Sequence, residues 1–180
     1  QRMTEGLAEV ARSGEPMALL CLDLDHFKSI NDTLGHPVGD ALLEIVARRL
    51  QAAVEGQGTV ARLGGDEFAI LLHGADAARA EELARRLVRL MSDPFVVEGH
   101  LINSGISIGI ALAPRDATGG DHLMKCADLA LYRAKFEGRA MFRFFEPDMS
   151  LRLEARRSLE LDLRKALQAD EFHLVFQPQV

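Results

Sequence analysis

The sequence predicts an α/β domain whose helices surround one sheet. Three observations support this: short apolar runs of strand length, longer segments with apolar residues at helical spacing, and glycine or proline between them. Ala18-Leu19-Leu20-Cys21-Leu22 is suited to a buried strand over 17–23. A short helix follows near 26–34, then a longer one over about 37–55 with Leu43, Val46, Ala47 and Leu50 as its buried stripe. Thr59-Val60-Ala61 leads into a hairpin over 59–72, Gly64-Gly65 forms its bend, and Ala69-Ile70-Leu71-Leu72 leads out. Leu83, Leu87, Leu90 and Met91 mark a helix over about 76–92, closed by Pro94. Phe95-Val96-Val97 is expected to pair with 101–113 around a bend at Gly99-His100, and Pro114 to Gly120 to form a loop. A third long helix over 121–137 stops at Gly138, and Met141 to Phe145 is the last strand.

A chain of 180 residues with 48% hydrophobic content suffices for one well-buried domain and a short appendage. Its net charge of −6 excludes a basic footprint for tracking nucleic acid, so any bound phosphate must be met locally. Cys21 lies in an apolar strand and Cys126 in a helical pattern; neither a disulfide framework nor a zinc motif results, and buried, reduced thiols in a cytoplasmic protein are expected. The six histidines (26, 36, 73, 100, 122 and 173) are scattered and form no ligand cluster. No run approaches the roughly 18 apolar residues of a membrane span, and no signal peptide is visible, so no membrane contact is expected of these residues. The chain opens on Gln1 and is expected to be a fragment, with any sensor or membrane tether upstream of it.

Arg62-Leu63-Gly64-Gly65-Asp66-Glu67-Phe68 places two glycines and two acids between apolar strand sequences. Glycine lets a ligand approach the backbone, and adjacent carboxylates hold a hard cation that bridges phosphates; the alternative is an acidic surface turn. A second acidic strand end, Asp23-Leu24-Asp25-His26-Phe27-Lys28, closes the first buried strand. Asp25 has a simpler reading as the cap of the following helix. Lys28 is placed in the loop after the strand, where its ammonium and free backbone N–H groups receive phosphate oxygens. Lys135 and Arg139, four apart, are also favourable near a helix C-terminus without any ligand. Asn31 reads as a turn or helix cap and Asp40 as a first-turn acid, unless they meet a base. Arg62 is as well explained by a salt bridge as by substrate contact. Gly105 and Gly109 bracket Ser107 in an apolar strand and suggest close backbone packing.

The order of these motifs resembles the GGDEF domain of diguanylate cyclases, which join two GTP molecules into cyclic di-GMP. The resemblance covers most of residues 15–146: Asp23 through Lys28, Asn31-Asp32, Gly35-His36, Gly39-Asp40, Gly64 to Phe68, Ser107-Ile108-Gly109, Ala127-Asp128 through Tyr132, Lys135, Gly138 and Arg139. It implies a central, largely antiparallel sheet related to nucleotide cyclases and polymerase palms. It further implies Asp23 and Asp66 as ligands of Mg2+ or Mn2+, with the Leu24 carbonyl as an added ligand. Glu67 would be a further metal contact or help remove the hydroxyl proton. Gly64 and Gly65 would admit substrate, Lys28, Lys135 and Arg139 would meet phosphates, and Asn31 and Asp40 would meet guanine. A carboxylate at 40 suits guanine because it accepts from the paired N–H and amino donors that adenine lacks.

Two departures from that family stand out. Its Arg-x-x-Asp product site would fall on Glu55 and Gly58, so feedback inhibition there is expected to be absent, and Glu55→Arg with Gly58→Asp is the change expected to create it. Its usual N-terminal Asp-x-Leu-Thr-Gly-Leu segment would precede Gln1. The domain is assigned to 1–147. Residues 148–180, with Leu159, Leu163 and Leu167 on one helical face and a strand at Phe172 to Phe176 ending at Gln177-Pro178, resemble the start of an EAL phosphodiesterase domain lacking its catalytic acids. A homodimer is expected for catalysis, since each chain carries one set of acids. The alternative function is a silent GTP-binding domain that regulates an attached EAL domain.

Overall fold

The computed structural model describes residues 2–173 and 175, with side chains described for all of these except 153–157 and 160. In chain order the elements are α1 (Arg2–Ser13), β1 (Met17–Leu24), α2 (Phe27–Leu34), α3 (His36–Val54), β2 (Gly58–Gly64), β3 (Glu67–His73), α4 (Ala77–Ser92), β4 (Phe95–Val97), β5 (His100–Ile102), β6 (Ile106–Ala113), α5 (Gly120–Phe136), β7 (Phe142–Phe144) and α6 (Asp148–Gln168). Two compact units result, Gln1–Phe145 and Glu146–Val180.

In the first unit β1 is the middle strand of a five-stranded sheet ordered β2-β3-β1-β6-β7, antiparallel throughout except where β7 runs parallel to β6. All eight residues of β1 are buried, because helices cover both faces of the sheet. Leu20 and Leu22 join Leu42, Val46, Leu50 and Leu87 of α3 and α4 on one side. Leu19 and Cys21 join Val10 of α1 and Leu123, Cys126 and Ala127 of α5 on the other. Each buried leucine contributes about 1.5–3 kcal/mol relative to exposure. That double coverage is why an antiparallel strand here reads as an unbroken apolar run.

Several expectations are corrected in detail. Helix α1 was not expected, although Met3, Leu7 and Val10 recur at helical spacing and pack toward the α5 side of the core. The hairpin bends at Gly65-Asp66 rather than at Gly64-Gly65: Gly64 still pairs with Glu67, and a register shift between Arg62 and Gly64 absorbs the extra residue. The strand expected over 101–113 is two strands, β5 and β6, broken at Asn103-Ser104-Gly105. The bend before β5 is Glu98-Gly99, with φ of 47° and 83°, and His100 pairs with Val97.

The second unit contains α6, on which Leu159, Leu163 and Leu167 are exposed. Of the strand expected over 172–176, ending at Gln177-Pro178, the described residues 172, 173 and 175 are in no strand, and 174 and 176–178 lie outside the described residues.

Candidate active site

The acids converge where the C-terminal end of β1 meets the β2–β3 turn. Antiparallel pairing sets Asp23 directly opposite Glu67 on one side and Ser107 on the other, and the Leu24 N–H donates to the Asp66 carbonyl at 3.3 Å. Asp66 is thereby held at the hairpin apex, half-buried, with Glu67 exposed beside it. Arg62 Nε donates to the Gly65 carbonyl at 2.8 Å and staples the apex, which favours its structural reading. A Cβ on Gly64 or Gly65 would meet nothing within 4 Å, so the backbone there is open to approach.

Asp23 is 8% exposed and its Oδ2 lies 2.6 Å from Lys135 Nζ. Burial pushes its carboxyl above the usual range; Lys135 pulls it down, while Asp66 and Asp25 raise it further. This corner therefore holds more negative charge than Lys135 alone neutralises. Two carboxylates and a carbonyl, all hard oxygen donors, suit an ion that keeps waters or phosphate oxygens as its other ligands; Mg2+ is of that kind. Among the described residues no three His, Cys, Asp or Glu side chains form a metal set, so an ion held by Asp23, Asp66 and Leu24 would depend on phosphate oxygens and water for its other ligands.

The remaining expected residues fall on both sides of the hairpin. Toward α5, Glu67 and Lys135 line a cleft of about 330 Å³ with Leu63, Met124, Asp128 and Tyr132. The sequence marks Asp128 and Tyr132 only as motif positions, and their spacing of four on α5, which sets them on one helical face, is the available signal. Toward α3, Asp40 lines a separate cleft of about 490 Å³ with Leu43, Ala47, Arg62 and Phe68. Asn31 lies against the start of α3: a Cβ on Gly39 would sit 1.8 Å from Asn31 Oδ1, and that oxygen is buried without a hydrogen-bond partner. An orphaned acceptor next to the Asp40 cleft is costly unless something donates to it.

Three expectations about local placement change. Lys28 lies in the first turn of α2, exposed, and not in a loop. Arg139 is outside α5, which ends at Phe136, so it forms no helical pair with Lys135; it sits in a turn with φ of 63°. Asp25 is no helix cap. Residue His26 holds that position, with no side-chain capping bond, and the Asp25 carboxylate accepts instead from Ser107 Oγ at 2.7 Å and from the Ala140 N–H at 2.9 Å. The proposed restoration of a product site also meets an obstacle, because a Cβ at Gly58 would lie 2.3 Å from the Leu71 carbonyl oxygen. Cys21 and Cys126 are free and buried, and burial together with Asp128 pushes the Cys21 thiol far up.

A sequence model of the family described as diguanylate cyclase, GGDEF domain, matches residues 1–141. The chain belongs to that family. This GGDEF domain is 44% identical over 179 residues to an uncharacterized signaling protein of Caulobacter vibrioides, a match covering 98% of this chain and 22% of the relative. It is 41% identical over 179 residues to the bifunctional diguanylate cyclase/cyclic di-GMP phosphodiesterase MucR of Pseudomonas aeruginosa, covering 99% of this chain and 26% of MucR. The chain thus spans about a quarter of the length of these relatives. Among solved structures, the GGDEF domain of YfiN from Pseudomonas aeruginosa superposes with a TM-score of 0.82 at 37% identity, covering 85% of this chain and 90% of that one. Membership places the domain in cyclic di-GMP signalling. Among the described residues no helix is long and apolar enough to cross a membrane.

Proposed function

We propose that this GGDEF domain is a diguanylate cyclase that condenses two GTP into cyclic di-GMP and pyrophosphate. The observation that carries this reading is the corner at β1 and the hairpin apex, where Asp23 and Asp66 add negative charge beside Lys135 and next to an open glycine backbone. The reaction needs a ribose 3′-hydroxyl to attack an α-phosphorus as pyrophosphate leaves. A bound Mg2+ or Mn2+, held by Asp23, Asp66 and the Leu24 carbonyl, would neutralise the triphosphate and acidify the hydroxyl. Lys135, Arg139 and Lys28 supply cations for phosphate oxygens, Glu67 adds a metal contact or takes up the hydroxyl proton, and Asn31 and Asp40 hold guanine. Incubating the protein with GTP and either ion tests the reading, with cyclic di-GMP as the expected product. GTP bound without product would favour the silent regulatory alternative.

Guanine selectivity should depend on Asp40. Asp40→Ala removes the acceptor for two donors, and the preference for GTP over ATP should fall about tenfold to hundredfold, the range for hydrogen bonds to a charged group. Competition binding with the two nucleotides measures it; an unchanged preference would remove Asp40 from the base site.

Each domain offers one set of acids for a product built from two GTP, so two copies must face each other with each hydroxyl at the other's α-phosphorus. Specific activity should therefore rise with protein concentration, and rise again when a dimerising tag is fused to the N-terminus. Constant specific activity in a species shown to be monomeric would exclude this arrangement. In the longer protein we place an upstream sensor, a cytoplasmic location and a downstream EAL domain, of which residues 148–180 would be the start.

A further inference from the structure

Asp25 is a buried carboxylate, 3% exposed, and the roles so far assigned make no use of it. Every polar group of the residue is engaged. Its N–H donates to the Gly105 carbonyl at 2.9 Å and its own carbonyl accepts from Ser104 Oγ at 2.9 Å. Oδ1 accepts from Ser107 Oγ, and Oδ2 reaches across to the Ala140 N–H. The space for that reach is made by Gly105, whose Cβ would lie 2.9 Å from Asp25 Oδ2 and 3.0 Å from Ala140 Cβ.

The turn that Asp25 holds is unusual. After Gly138 (φ 137°), both Arg139 (φ 63°) and Ala140 (φ 46°) lie in the left-handed region. Two consecutive residues with a Cβ do not stay there unless their surroundings hold them. One anchor is the Arg139 N–H on the Ala134 carbonyl at 3.0 Å, which closes the end of α5. The other is the Asp25 carboxylate on Ala140. Arg139 thus hangs between the helix that carries Lys135 and a carboxylate fixed to the end of β1, two residues from Asp23.

We propose that Asp25 is a positioning residue for the phosphate-binding cations: by fixing the 138–140 turn to β1 and β6 it sets Arg139, alongside Lys135, against the triphosphate of a bound nucleotide. This rests on the GTP-binding reading above. Asp25 contacts no reacting atom. Its effect belongs to the phosphate end of the ligand and not to the base end, which separates it from a merely structural role.

The test is equilibrium binding of GTP and GMP to the whole chain and its variants. Asp25→Ala should lower GTP affinity about tenfold, the loss of one well-placed charge-assisted contact, and leave GMP affinity within about twofold. Asp25→Asn should stay near wild type, because its amide oxygen still accepts from Ala140 N–H while its NH2 donates to Ser107 Oγ. Arg139→Ala should cost less in the Asp25→Ala background than alone. Should Asp25→Ala fail to fold, Ser107→Ala, which frees one carboxylate oxygen, carries the same expectation with a smaller loss. A wild-type GTP-to-GMP ratio in the folded variants, equal losses for both ligands, or an additive Arg139 effect would overturn the positioning role alone. Absence of GTP binding by the unaltered chain would overturn the cyclase reading and this role with it.

Discussion

Asp66→Asn is expected to abolish cyclic di-GMP synthesis, by at least about a hundredfold, while leaving the domain folded. Asparagine has the same shape, and the backbone bond from the Leu24 N–H to the Asp66 carbonyl does not involve the side chain. What is lost is one of two charged oxygen donors at the candidate metal site, and a neutral amide is a poorer ligand for a hard dication. Product formation and a thermal melt, measured on the same preparation, check the two halves; full activity would sink the assignment of Asp66. A pH signature accompanies it. In the wild type, burial and Asp66 raise the Asp23 carboxyl, so the native state binds more protons than the unfolded one between the unfolded-state value and the raised value. Without metal, stability should fall as pH rises through that window, and fall less in Asp66→Asn.

The largest stability effect is expected at Gly109. This residue lies in the middle of β6, paired with Cys21 of β1 and Arg143 of β7, where α5 rests directly on the strand. A Cβ there would lie 2.1 Å from the Ala127 carbonyl oxygen and 2.2 Å from the Leu131 N, both backbone atoms that no rotamer change can move aside. Ala127, Ala130 and Ala134 are buried on the same helix, and such small side chains permit the close approach. Gly109→Ala should cost about 3 kcal/mol or more, the upper end of overpacking, and lower the melting temperature by roughly 6–12 °C. Gly109→Val should prevent folding. Gly64→Ala is the control: nothing lies within 4 Å of its Cβ position and its φ is not left-handed, so its melt should stay close to wild type. A normal melt for Gly109→Ala would refute the contact between helix and strand backbones.

Features that depend on local pattern are legible in the chain. An apolar run buried on both faces, helical spacing at Leu43 to Leu50 and Leu83 to Met91, and glycines beside acids marked β1, α3, α4 and the hairpin within a residue or two. The intact Gly64 to Phe68 motif marked the family in the same way. Tertiary structure alone decided which side chains share a corner, since that follows from strand order and register, and sheet pairing joins residues far apart in the chain. Nothing near Asp25 in sequence announces Ser107 or Ala140, so its acid read as a helix cap until the pairing of β1 with β6 brought them together. The pairing of Lys135 with Asp23 has the same origin: α5 crosses the sheet above β1 because Gly109 lets it lie close.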